Sequence, residues 1–103
     1  MSHEDVLRWG TCGSAACLGR SDIGEISEGK QADLALFSLD EPRFSGHDDP
    51  LAAILTCGSH RAAYVMVGGE WRVRQGVIID LDLDRMVAEH RKAAKRLILR
   101  ANN

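Results

Sequence analysis

The sequence predicts an α+β domain in which helices at the two ends bracket a small sheet built around a hairpin. Three observations carry that expectation. Apolar residues recur at helical spacing near both ends, between residues 6 and 17 and between 85 and 99. Two strand-like runs flank Gly68-Gly69, a two-residue loop suited to a primed turn. A short apolar run, Ala32 to Phe37, follows a polar turn and has the length of one strand.

At 103 residues the chain fits one small domain with a modest core. Hydrophobic residues make up 45% and charged residues 27%, values that argue against disorder. A formal net charge of −2 gives no global attraction to nucleic acid or to an anionic membrane, and neither partner is expected. No apolar run approaches the roughly 18 residues needed to span a bilayer. Met1-Ser2-His3-Glu4-Asp5 lacks the basic and apolar regions of a signal peptide, so a cytoplasmic setting is expected. Cys12, Cys17 and Cys57 are odd in number and miss the spacing of zinc pairs. They read as buried, reduced thiols that pack as small hydrophobes.

In chain order, Ser2 can cap a first helix, with Glu4 and Asp5 placing negative charge in its first turn. Val6, Leu7, Cys12, Ala16 and Cys17 share helical spacing, and Gly19 supplies a stop after Leu18. Gly10, Gly13, Ser14, Ala15 and Ala16 make this helix small-sided and weak in isolation, at about 1 kcal/mol per Gly relative to Ala. It needs a neighbour to pack on. Gly24 to Gln31 then reads as a polar turn, and Ala32 to Phe37 as a strand covered on both sides, interrupted only by Asp33. Residues 38–50 read as a polar loop. Asp49 before Pro50 is a helix start, with the helix ending near Gly58. Ala63 to Val67 and Glu70 to Arg74 form the hairpin, the second arm with Trp71 and Val73 on a buried face. Gln75-Gly76 turns the chain into a third arm, Val77-Ile78-Ile79. Asp84 then caps a helix from Arg85 to about Leu99, with Met86, His90, Ala93, Ala94 and Leu97 along one stripe. About four strands are too few to close a sheet, so the chain reads like a piece of something larger.

Candidate chemistry is thin. His3, His47, His60 and His90 lie far apart and form no metal-binding pair. His47-Asp48-Asp49 is the densest polar cluster and could bind a metal weakly, but a loop with a helix cap explains it better. His90 reads as a core histidine. Ser14 lacks the glycines and the strand-to-helix turn of a nucleophile elbow. Gly68-Gly69 precedes no helix start and is a turn rather than a phosphate loop. The last helix carries six of the thirteen basic residues, without the interleaved aromatics of a nucleic-acid surface. No catalytic, cofactor-binding or metal-ligating residue is assigned.

The order of motifs is more specific than any one of them. Residues 6–20 resemble the last barrel helix of amidohydrolase-superfamily enzymes. There it is followed by Asp-Ile-Gly and Gly-Lys-x-Ala-Asp-Leu, and here by Asp22-Ile23-Gly24 and Gly29-Lys30-Gln31-Ala32-Asp33-Leu34. Arg43-Phe44-Ser45-Gly46, Asp49-Pro50-Leu51-Ala52-Ala53 and Val65-Met66-Val67-Gly68-Gly69 continue the resemblance in register, from about Val6 to Leu97. Within the superfamily the chain resembles cytosine, guanine and 8-oxoguanine deaminases and triazine hydrolases. Gly69, where relatives commonly have Asn-Gly, and Gly10-Thr11-Cys12, in place of a usual Ala-Thr, depart from the pattern.

The resemblance implies a metal-dependent (β/α)8 barrel beside a small β-sandwich made from both chain ends. Residues 1–20 would be the final helix of a missing barrel. Residues 21–103 would be the C-terminal half of the sandwich, closed by the terminal helix. The family's metal-binding histidines and aspartate have no counterpart here, so zinc or iron is expected in a full-length parent enzyme and no cofactor in this chain. Met1-Ser2-His3 looks like a start placed just before that helix, so a fragment or truncated frame is expected. The implied function is a structural, inactive segment of a nucleobase-type deaminase. Its partners would be the missing barrel and N-terminal sandwich strands. The alternative is a free-standing binding or oligomerisation module that covers its apolar faces by self-association.

Overall fold

The computed structural model describes residues 1–57 and 61–102. A helix comes first, in three parts that run on without a break. They are α1 (His3–Arg8), a π-helical turn (Trp9–Gly13) and α2 (Ser14–Cys17). Ser2 caps α1 through a capping box, its hydroxyl accepting from the Asp5 amide at 3.2 Å while Asp5 accepts from the Ser2 amide at 3.0 Å. The end is a Schellman motif. Gly19 takes φ +73°, its amide donates to the Ala16 carbonyl, and the Arg20 amide donates to the Ala15 carbonyl. The cap and the stop lie where the sequence placed them, but the π turn carries no signature in residue type.

β1 (Leu34–Leu36), β2 (Tyr64–Val67), β3 (Glu70–Arg74) and β4 (Val77–Ile78) form one antiparallel meander in the order β1-β2-β3-β4. Gly68 and Gly69, at φ +58° and +82°, make the primed turn of the β2–β3 hairpin. Val65 faces Val73 and Met66 faces Trp71, so a bulge at Arg72 breaks the alternation assumed for the second arm. Trp71 is consequently only partly covered, its ring edge set against Tyr64 at 5.7 Å between centroids.

Between β1 and β2 the polar loop contains a 3₁₀ turn, Pro42–Phe44, followed by α3 (Pro50–Thr56). Pro50 opens α3 and Asp49 caps it, accepting from the Leu51 amide at 3.0 Å. The predicted helix end at Gly58 lies outside the described residues. α4 (Leu83–Ala101) begins two residues earlier than expected, because Asp82 rather than Asp84 is the cap, accepting from the Arg85 amide.

The core is small. Phe44, Ala53 and Ala15 are the buried hydrophobic residues among those described. A compact chain of this length has a radius of gyration of about 13 Å and one of this mass exposes about 5,700 Å². The observed values are 18.3 Å and 8468 Å². Several expectations of burial fail for this one reason. Leu36 is 49% exposed, so β1 is not covered on both sides. Cys12 and Cys57 are half-buried and Cys17 is exposed, and none is a core thiol. His90 is exposed, as is most of the α4 stripe among the described residues, with only Val87 and Ala94 partly covered.

Candidate functional site

The chemistry-bearing residues are gathered at the junction between the first helix and the sheet, residues 20–33. Arg20 grips Asp22 with both arms of its guanidinium, Nε to Oδ1 at 2.9 Å and Nη2 to Oδ2 at 2.7 Å. The hydrogen bond from Arg20 holds the Asp22 carboxyl below its ordinary range, and the same bond raises Arg20. Lys30 donates to the Ser21 carbonyl and pairs with Glu25 at 3.2 Å, and the Gln31 amide donates to the Asp22 carbonyl at 2.7 Å. Both ends of the polar turn are thereby tied together.

Gly24 seats this junction against the helix. It adopts φ +94°, and a Cβ there would stand 2.8 Å from Cys12 Cα and 3.0 Å from Ala15 Cβ. No other residue type fits that approach. At the far end Asp33 accepts from the Gly68 amide at 2.7 Å, across 35 positions of sequence, and the Gly69 amide donates to the Ala32 carbonyl at 3.1 Å. The carboxylate that interrupts the apolar strand thus pins the hairpin turn to β1. Sequence reasoning named Gly24 within a motif and Asp33 as the one interruption of an apolar strand, and gave neither a contact. The available signal was Asp33 itself, since a charge set in an apolar strand requires a partner.

Beside the junction runs an apolar groove of about 810 Å³, walled by Leu7 and Leu18 from the first helix, Leu34 and Leu36 from β1, and Leu51 and Ile54 from α3. Its two hydroxyls are engaged with helix carbonyls. Thr11 Oγ1 donates to Leu7 at 2.8 Å, and Ser14 Oγ to Trp9 at 3.0 Å. Ser14 is therefore a helix-internal donor. An adjoining hollow, which also reaches Glu25, is lined by Glu4 and Arg8. The groove offers contact for apolar side chains rather than a reacting centre.

The other candidates are dispersed. Asp49 is the α3 cap and His47 donates its amide to the Phe44 carbonyl, so that cluster serves the loop. His60 lies outside the described residues. Among the described residues no group of three or more His, Cys, Asp or Glu side chains could hold a metal ion, so no reaction step is derived through one. Among them also, no helix is long and apolar enough to cross a membrane.

Comparison with known proteins gives these features a context. The 8-oxoguanine deaminase of Pseudomonas aeruginosa is 61% identical over 98 residues, 95% of this chain and 22% of that protein. A crystal structure of the atrazine chlorohydrolase of Arthrobacter aurescens TC1 complexed with zinc matches with a TM-score of 0.77 and 42% identity, over 85% of this chain and 20% of that one. An adenosine deaminase from Xanthomonas campestris with bound zinc matches with a TM-score of 0.84 and 32% identity, over 95% and 23%. The chain spans about a fifth of the length of these relatives. A profile of the amidohydrolase family matches residues 1–72, a span that contains the helix, the junction, the groove and the hairpin turn. The chain belongs to the amidohydrolase family.

Proposed function

We propose that these residues are the C-terminal structural segment of a metal-dependent amidohydrolase of the nucleobase-deaminase type, and that the 103 residues alone are inactive. Residues 1–20 are the final barrel helix and 21–103 the C-terminal half of a composite sandwich. The observation that carries the reading is the 61% identity to an 8-oxoguanine deaminase over almost all of this chain and 22% of that protein. The zinc-bound relatives support metal chemistry in the parent, supplied by residues other than those described here. The partners are the remainder of the barrel and the N-terminal sandwich strands. The surplus of exposed surface, close to half again what a compact chain shows, supports an obligate cover of that kind.

The test is a chimera. The matching 98 residues of the Pseudomonas aeruginosa enzyme are replaced by those of this chain, and zinc-loaded protein is assayed on 8-oxoguanine, guanine, cytosine and triazines. The chimera should retain 8-oxoguanine turnover within about tenfold of the parent, a barrier change of roughly 1.4 kcal/mol. A soluble, zinc-loaded chimera without activity overturns the substrate assignment. Chelator-sensitive turnover by the isolated chain overturns the structural role.

A further inference from the structure

The first helix runs unbroken from His3 to Cys17, yet it holds a π turn at Trp9–Gly13. Its two ends are fixed independently, by the Ser2 capping box and by the Gly19 stop. In an uninterrupted α-helix, at about 100° per residue, Leu18 would lie within about 20° of Leu7 and Ala15 about 80° away. A π turn takes up one extra residue, so the order reverses, with Ala15 within about 20° of the Leu7 direction and Leu18 about 80° from it. The exposures follow the second geometry. Ala15 is 4% exposed and Leu18 74%.

The seat of the junction depends on this exchange. Gly24 comes so close that a Cβ on it would stand 3.0 Å from Ala15 Cβ. A leucine on that face would fill the space Gly24 uses. The side chains around the turn match the wide register. Ser14 Oγ donates to the Trp9 carbonyl five residues back at 3.0 Å, whereas a hydroxyl in an α-helix reaches three or four residues back. A Cβ on Gly13 would stand 3.3 Å from the Arg8 carbonyl oxygen, so the wide turn favours a glycine there.

We propose that the π turn is a register device. It absorbs one surplus residue between two fixed helix ends and thereby presents Ala15, instead of Leu18, to Gly24. Residues 20–33, and the hairpin that Asp33 pins, take their placement against the helix from it. The device rests on residues of this chain, and the parent enzyme serves only as its host.

Two single-residue changes in the zinc-loaded chimera test it. Deleting Gly10, whose Cβ position has nothing within 4 Å, removes the surplus and leaves Trp9 four residues before Ser14, as an α-helix requires. The thermal midpoint should fall by less than about 2 °C, and a crystal structure should show a regular α-helix with Ala15 still against Gly24. Inserting an alanine after Gly10 adds a second surplus residue and should lower the midpoint by more than about 5 °C. A deletion as damaging as the insertion overturns the device. So does an unmodified chimera whose crystal structure shows an uninterrupted α-helix with Leu18 against Gly24. Neither readout uses turnover, so an inactive chimera sinks the substrate assignment and leaves the register result standing.

Discussion

The junction and α4 are both exposed, both charged and both attached to the same sheet, but their residues are used in opposite ways. In residues 20–33 nearly every polar group has an intramolecular partner. Arg20 holds Asp22, Lys30 holds Ser21 and Glu25, and Asp33 holds Gly68. In α4 the polar groups are solvated and the apolar ones wait for a surface. A short segment with few apolar residues can thus be well determined while a long amphipathic helix is not. Position is fixed by specific closure of backbone and side-chain bonds, whereas a helix face is fixed only by what packs on it.

The comparison breaks most sharply at the few tightly packed places outside α4. Phe44 is fully buried, and Phe44→Ala should lower the unfolding free energy by about 3–5 kcal/mol. Gly24→Ala comes next, at about 2–4 kcal/mol, because it combines a left-handed backbone with a 2.8 Å approach to Cys12 Cα. Gly29→Ala is the control. Gly29 also has positive φ, +81°, but nothing lies within 4 Å of its Cβ position, so only the backbone cost of about 1 kcal/mol remains. Urea midpoints at constant m-value measure all three. Equal losses at Gly24 and Gly29 would show that the close approach does not matter.

Asp33→Ala leaves the Gly68 amide without its acceptor and should cost about 1–2 kcal/mol, toward the lower end because the bond is exposed. Asp33→Asn keeps an acceptor and should recover part of the loss. By contrast, Leu97→Ser in α4 should leave the unfolding free energy of the chain within about 0.5 kcal/mol of the original. An α4 substitution as costly as Asp33→Ala would mean that α4 already packs on its own chain.

The same contrast explains what could be read from the sequence. Caps, stops and turns depend on one to three adjacent residues, so Ser2, Gly19, Asp49-Pro50 and Gly68-Gly69 were legible and lie where expected. Burial depends on surfaces contributed from elsewhere. His90, Leu36 and the cysteines were expected inside because their neighbours are apolar, but the described residues leave them partly or largely exposed. The Asp33–Gly68 clamp spans 35 positions, so the charge within an apolar strand announces a partner but not which one. Phe44 was hidden for a related reason. It is an aromatic residue in a polar loop, where no apolar periodicity marks it for burial. The π turn at Trp9–Gly13 arises in a run of small residues that a regular α-helix would also accept.

The smallest expected effect is the one that reads the junction's electrostatics. Asp22 has its carboxyl lowered in the folded chain by the Arg20 hydrogen bond, so its contribution to stability is fully present above the ordinary carboxylate range. It is lost as pH falls through the lowered folded value. Arg20 is raised, so its contribution is present throughout the range below the ordinary guanidinium value and does not shape the acid limb. Asp22→Asn should therefore flatten the dependence of the urea midpoint on pH on the acid side and leave its shape between pH 6 and 8 unchanged. Because both side chains are nearly half exposed, the effect should shrink with added salt. Asp5 supplies the internal reference. Its carboxyl is lowered chiefly by the Ser2 backbone amide rather than by a cation. Asp5→Asn should flatten the same acid limb with less salt dependence. If both variants respond to salt alike, the grip of Arg20 on Asp22 acts in solution as one more capping bond and not as an ion pair.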